Sequence, residues 1–415
     1  MRRSPNTSLR KSSADSQRLT ALAHAMVRSS SRMEARSWEV RLDEELEKQM
    51  SNQQQQVIDS ALDHLFHTDL DAYDILLDAV EAISSSCTLQ LEGKLHDALL
   101  LAVPVLAWTR FSIPSGAISA NVLKAMSSHL YEHVLAAHTH VAIAPMLFSM
   151  DQLPRTHCDT FQLTRRLAEN ALHQSATELP SALAETVAFL ADTRYLLLVV
   201  TAESGQALLR WQEEQALSAN QTSNQAALTQ WQLQAGPDLQ TVLPGCGVEL
   251  LLPSAYYVAC READKAIRPI SLRAAVNYLT HTLTTDTDQL SVVIAGFGDE
   301  SSEVGIAEFR ISFSVADHAE VYYGVVWPLY DEESAEEYLS AAGNHRTGLS
   351  ASLTPLQQIV SVLRETGITR IKQTETIFPP EFCDDCGTPM FSDAEEDMVH
   401  ARMPEDAAKS GGHLH

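Results

Sequence analysis

Residues 98–108 read ALLLAVPVLAW, the longest apolar run in the chain, with Pro104 near its middle. A membrane-crossing helix needs roughly 20 apolar residues, so this run predicts a buried strand or a short core helix, and no membrane segment is expected. Its second half, 103–108, opens a series of strand candidates at 140–150, 194–201, 248–258, 289–297, 307–315, 320–328 and 369–377. Helical periods fall between them, at 119–137, 161–173, 205–215, 271–283, 334–341 and 355–366. Short aliphatic runs alternating with helical periods predict α/β layering. The irregular order argues for mixed sheets, an α+β arrangement in place of a strictly parallel one.

Upstream of the run the period is helical. Leu19, Leu22, Ala23 and Met26 share one face, as do Ile58, Leu62, Leu65 and Phe66, then Ile75, Leu76 and Ala79. Asp69 and Asp71 flank a helix restart. This region is expected to form a helical layer against the α/β body or against a second copy of the chain, so a homodimer is a candidate assembly.

Downstream, LAWTRFSIPSGAISANVLKAMSSHL (106–130) and VACREADKAIRPISLRAAVNYL (258–279) invite superposition. Each reads as a strand ending in Arg (Arg110, Arg261), a loop with Pro, and a helix opening at Ile-Ser. The expected organisation is therefore a basic arm and first helix (1–36), a helical region (37–94), a first α/β unit (95–215), a polar linker rich in Gln, Asn and Ala (216–245), a similar second α/β unit (246–380), and a knuckle with an acidic tail (381–415). Arg110 and Arg261, at matched strand ends, are candidate anion-binding residues; a structural ion pair is the plainer reading of each.

The chain has 54 Asp and Glu against 29 Lys and Arg, a net charge of −25. That balance argues against the body lying on nucleic acid or anionic lipid. Residues 1–36 carry eight basic and two acidic residues, a local net of +6, which leaves −31 for the rest. Such an arm either meets nucleic acid or an acidic partner, or folds back on its own body. An apolar content of 45% supplies a packed interior and excludes a disordered chain. The basic start is not followed by an apolar stretch of the signal-peptide kind, and six cysteines in 415 residues form no disulfide framework. A cytoplasmic location is the expectation.

The strongest chemical signal is FCDDCGTPM (382–390). Zinc takes tetrahedral thiolate ligands, and C-x-x-C lets Cys383 and Cys386 meet one ion from a tight turn. Gly387 accepts the positive φ where the backbone curls under the sulfur, and Pro389 stiffens the exit. Half a zinc ribbon needs further ligands. His400, His413 and His415 are candidates, as are Cys246 and Cys260, or the same cysteines of a second chain. A redox C-x-x-C needs a depressed thiol pKa beside cations, whereas Asp384, Asp385 and Glu381 surround this one. A divalent cation reverses that electrostatic cost, so zinc is favoured over redox chemistry.

SHLYEH (128–133) contains H-x-x-E-H. His129 and His133, one turn apart on a helix, can bind zinc with Glu132 as base for a bound water. The match resembles the metallopeptidases of the insulinase and pitrilysin type, which have two similar α/β halves and take a third ligand from a distant Glu. That resemblance implies a metallopeptidase-like hydrolase completed by Glu203, Glu213 or Glu214. The plainer reading is a surface helix with Leu130, Val134 and Leu135 facing the core. His64 and His67 among Asp63, Asp69, Asp71 and Asp74 read as an acidic helix end, and Gly296-Phe297-Gly298 is followed by acids where a phosphate cradle needs open amides.

The N-terminal MRRSPNTSLRK…SQRLTALAHAMVRSSSRMEARSWE, the segment LDHLFHTDLDAYDILLDAVEAISSSC, and FCDDCGTPMF followed by VHARMPED resemble an uncharacterised family of bacterial proteins, a domain of unknown function, over essentially the whole chain. The resemblance implies a bacterial cytoplasmic protein and brings no activity with it. The expected function is that of a non-catalytic binding or regulatory protein with a structural zinc site at Cys383, Cys386 and His400.

Overall fold

The apolar run is the second part of a long strand, β2 (Lys94–Trp108), at the centre of a seven-stranded sheet. Leu101, Val103, Val105 and Ala107 enter one apolar cluster, and Ala98, Leu100, Ala102 and Leu106 enter another. Both faces are therefore buried, which is why the strand reads as a continuous apolar run with no alternation. The computed structural model describes residues 13–175, 177, 188–213, 222–298, 305–316, 318, 320–330, 333 and 353–403.

The first sheet also contains β1 (Ser86–Leu91), β3 (Gly116–Ala117), β4 (His140–Ser149), β5 (Ala191–Glu203), β6 (Gly247–Leu250) and β7 (Ser254–Ala255). Its order is β1-β2-β5-β4-β3, with β6 and β7 also on β2. All pairings are antiparallel. β1 takes residues up to Leu99 of β2, β7 takes Leu101 and Ala102, and β6 takes Val105 to Trp108. Pro104 lies where β6 gives way to β7. Its carbonyl accepts from Leu251 N (3.0 Å), so its nitrogen faces the same gap and no ladder bond is lost.

Helices cover both faces. α5 (Ala120–His133) and α7 (Thr222–Gln240) bring Met126, Leu130, Trp231, Ala235 and Leu239 to one. α6 (His157–His173) and α8 (Tyr256–Thr282) bring Leu167, Ala168, Tyr256, Ala259 and Ala263 to the other. The C-terminal half of α8 continues onto a second sheet of β8 (Leu290–Gly298), β9 (Ile306–Val315), β10 (Tyr323–Pro328) and β11 (Arg370–Phe378), in the order β10-β9-β8-β11. Here β8 and β11 are parallel and the other pairs antiparallel. Leu272, Val276 and Leu279 of α8 pack there with Ile359 and Leu363 of α9 (Pro355–Glu365). The chain is thus a mixed α+β protein, as the alternation of patterns predicts.

The N-terminal layer is α1 (Ala14–Val27), α2 (Arg32–Ser51), α3 (Gln55–Phe66) and α4 (Leu70–Ser85). Ser13, Ser31 and Asp69 cap α1, α2 and α4. Leu19, Leu46, Ile58, Leu65 and Leu76 form a core that Cys158 and Phe161 of α6 complete. Gln55 fastens the layer to α6, its Oε1 accepting from Cys158 N (3.0 Å). Phe66, expected on one face with Ile58, Leu62 and Leu65, is exposed while those three are buried, and it meets Tyr73 edge-on.

Several local expectations are corrected. The stretch 258–279 is no strand, loop and helix: it lies inside α8, so Arg261 sits on a helix and its superposition on 106–130 does not hold. Pro269 does not stop that helix. It removes a donor to the Lys265 carbonyl, and Arg268 Nε supplies one (3.3 Å). The strand expected at 248–258 ends at Ala255, where α8 follows. The linker at 216–245 contains α7, whose Trp231, Ala235 and Leu239 recur at helical spacing among glutamines. Of the helix expected at 205–215, residues 205–213 form a turn and a short 3₁₀ segment, Arg210–Gln212, and the last two lie outside the described residues. β1 lies within the expected helical region. The helix expected at 334–341 and the arm residues 1–12 lie outside the described residues.

Candidate metal centre

The C-terminal segment packs on the face of the second sheet opposite α8 and α9. β12 (Phe391–Ser392) and β13 (Met398–Val399) form a hairpin. Phe391 lies over Gly324 of β10, where a Cβ would fall 2.2 Å from its ring. Ser312 Oγ of β9 donates to the Ser392 carbonyl (2.6 Å).

Arg310 of β9 anchors the loop that carries the cysteines. Its side chain is fully buried and pairs with Glu308 (2.6 Å). Nη1 donates to the carbonyls of Glu381 (2.7 Å) and Met390 (2.6 Å), the two ends of the loop. The guanidinium lies 4.2 Å from the Phe297 ring centre and 5.1 Å from that of Phe382. Nη2 is buried with no partner among the described residues.

Within the loop, Cys383 N donates to the Thr388 carbonyl and Gly387 N to the Cys383 carbonyl, both at 2.8 Å. Gly387 has φ +73°, so the expected left-handed turn is present. The hairpin returns His400 to this turn. His400 Nε2 is 3.1 Å from Cys386 Sγ and 2.9 Å from Thr388 Oγ1. Nδ1 lies 2.8 Å from the Ala401 carbonyl. Donation there leaves the Nε2 lone pair facing the sulfurs, the arrangement by which outer contacts orient a metal-bound imidazole. Donor atoms of Cys383, Cys386 and His400 all lie within 4.8 Å of one another. Sulfur and nitrogen on one tetrahedral zinc sit about 3.5 Å apart, a few tenths beyond the Cys386 to His400 contact.

Hydrogen bonds from the Thr388 hydroxyl and backbone, then His400, hold the Cys386 thiol down at about 6. Four cysteines elsewhere in the fold behave oppositely. Burial pushes Cys87 and Cys158 up to about 11 and Cys260 to about 12, and also raises Cys246. Raised in this way, those four thiols are poorer ligands and nucleophiles than Cys386. The group can hold a divalent cation through two sulfurs and one nitrogen, and exposed Asp384 and Asp385 add negative charge beside it. Cys246 and Cys260 lie in or against the cores of the first sheet and are not part of the group. His413 and His415 lie outside the described residues. Thr388 and Arg310 were not singled out from sequence; the spacing of Thr388 from Cys386 was a local signal, whereas Arg310 had none.

The second histidine motif lies on α5, where His129, Glu132 and His133 bring donor atoms within 4.8 Å of one another. Neither Glu203 nor Glu213 joins them. Glu203 pairs with Lys94 (2.5 Å), and Glu213 accepts from Ala137 N (3.1 Å); Glu214 lies outside the described residues. Instead, His129 Nε2 meets Asp238 Oδ2 of α7 (3.1 Å) and His133 Nε2 meets Gln234 Oε1 (2.9 Å). Arg261 forms a two-oxygen ion pair with Glu81 of α4 (2.7 and 2.8 Å). Arg110 is exposed in the turn after β2.

No helix among the described residues is long and apolar enough to cross a membrane. No match was found among curated proteins or among solved structures. A family pattern described as "Protein of unknown function (DUF2863)" matches residues 4–414, nearly the full length, and the chain belongs to that family.

Proposed function

We propose that the protein is a non-catalytic binding or regulatory protein of a reducing, cytoplasmic compartment, with a structural zinc site formed by Cys383, Cys386 and His400. One observation carries this reading: the β12–β13 hairpin brings His400 to within 3.1 Å of Cys386, fourteen positions away. The Cys2His set suits zinc by its donor softness. A closed, structural zinc takes its fourth ligand from a protein donor outside the three. The ion would hold the hairpin and the cysteine loop together over the second sheet. The six cysteines are free, as a reducing compartment keeps them.

The hydrolase alternative has less support. A catalytic zinc needs three protein ligands and an open position for water, and the third ligand expected from Glu203 or Glu213 is directed elsewhere.

Zinc content measured on the purified protein beside a Cys383→Ser, Cys386→Ser double variant tests the proposal. The double variant is expected to lose about one equivalent of zinc per chain. Equal zinc in both proteins would end it.

A further inference from the structure

We propose that α5 and α7 are joined by a second divalent transition-metal site, whose donors are His129, Glu132 and His133 of α5 and Asp238 of α7. The three α5 donors already converge within 4.8 Å, and Glu132 Oε2 is 4.0 Å from His133 Nε2. α7 then adds a carboxylate oxygen 3.1 Å from His129 Nε2. Two donors held roughly 2.0 to 2.2 Å from one tetrahedral ion sit about 3.3 Å apart. The contact between the helices has the spacing of two ligands on a shared ion.

Burial and charge support the same reading. The side chains of His129 and His133 are only 19% and 10% exposed, so bulk water does little for their ring nitrogens. Two carboxylates approach these rings, and among the described residues neither is paired with Lys or Arg. The guanidinium of Arg210 donates to the backbone carbonyl of Glu132 and forms no ion pair with its carboxylate. A divalent cation would neutralise both carboxylates, which at 37% and 62% exposure are otherwise balanced by solvent. The Gln234 carboxamide now on His133 is a neutral acceptor, and swinging it aside frees that nitrogen.

Asp238 touches His129 but is not yet within 4.8 Å of all three α5 donors, so it closes on the ion as Gln234 swings away. Four protein donors then fill a tetrahedral site, the structural pattern, whereas a catalytic site keeps one position open. Two imidazoles and two carboxylates suit zinc, cobalt or nickel better than calcium or magnesium, which favour all-oxygen sites. The ion would cross-link α7, the helix that covers one face of the first sheet, to α5 beside it. The H-x-x-E-H motif then serves as a helix-to-helix clasp in place of a peptidase centre.

The test uses full-length protein carrying Cys383→Ser and Cys386→Ser, so that the knuckle contributes no metal. After exposure to zinc and gel filtration it is expected to retain about one equivalent per chain. Adding His129→Gln and His133→Gln is expected to abolish retention, and Asp238→Asn to weaken it about tenfold or more. Cobalt substitution reads the donor set independently: visible d–d absorption without the thiolate charge-transfer band that the knuckle produces. A knuckle-disabled protein with native circular dichroism that takes up no metal overturns the proposal. So does metal retention that survives loss of both histidines. Failure of the knuckle alone is distinct, since wild-type protein would then hold one equivalent that disappears with His129 and His133.

Discussion

Replacing Arg310 with Met is expected to lower stability by about 3 to 5 kcal/mol and to loosen the cysteine loop. The change removes the buried member of an ion pair and leaves Glu308, 22% exposed, without its cation. It also strips the carbonyls of Glu381 and Met390 of their donor. Each part-buried acceptor so stranded adds up to about 1 to 3 kcal/mol before relaxation. The apolar stem of Met replaces part of the packing between Phe297 and Phe382, so the loss reports mainly the polar contacts. Denaturant unfolding measures the first effect. Zinc competition with a chelator measures the second, where a loosened support is expected to weaken binding by about 10- to 100-fold. A variant with unchanged zinc affinity would show that the loop holds its shape without Arg310. A stability loss below about 1 kcal/mol would contradict the account of the buried charge.

What could be read from the sequence followed the range of the interactions responsible. The helical layer was legible because its apolar residues recur within a single turn or two, as in Leu19, Leu22 and Ala23. The Cys383 and Cys386 turn was legible because C-x-x-C-G encodes its own geometry, down to the positive φ at Gly387. His400 was only one of several candidates, since a hairpin had to fold before it met the sulfurs. α7 was missed because Trp231, Ala235 and Leu239 are spread among glutamines and a proline, so its apolar stripe is dilute. The stretch 258–279 misled for a different reason. Pro269 reads locally as a break, and the Arg268 side chain that serves the freed Lys265 carbonyl is a tertiary detail. Asp238 had no sequence signal linking it to His129, more than a hundred residues away.

Trp231→Ala is expected to cost about 3 to 5 kcal/mol, the range for emptying a buried aromatic site. Trp231 is fully buried in the cluster over the first sheet, and its Nε1 donates to the Leu251 carbonyl (3.1 Å) in the segment that follows β6. Truncation therefore opens a cavity and strands a carbonyl together. Leu233, two positions on, is 64% exposed, and Leu233→Ala is the matched control, expected to change stability by no more than about 0.5 kcal/mol. The contrast separates a packed helix from a polar linker, in which the two substitutions would cost the same small amount. Hydrogen exchange across 229–240 locates the effect: protection there should fall in the Trp231 variant and persist in the control. Because α7 also carries Asp238, the Trp231 variant should lose metal at the α5 to α7 clasp while the knuckle, on the other sheet, keeps its own. Retention of both metals after α7 has lost protection would separate Asp238 from the clasp and leave the ion, if bound, to the three donors of α5.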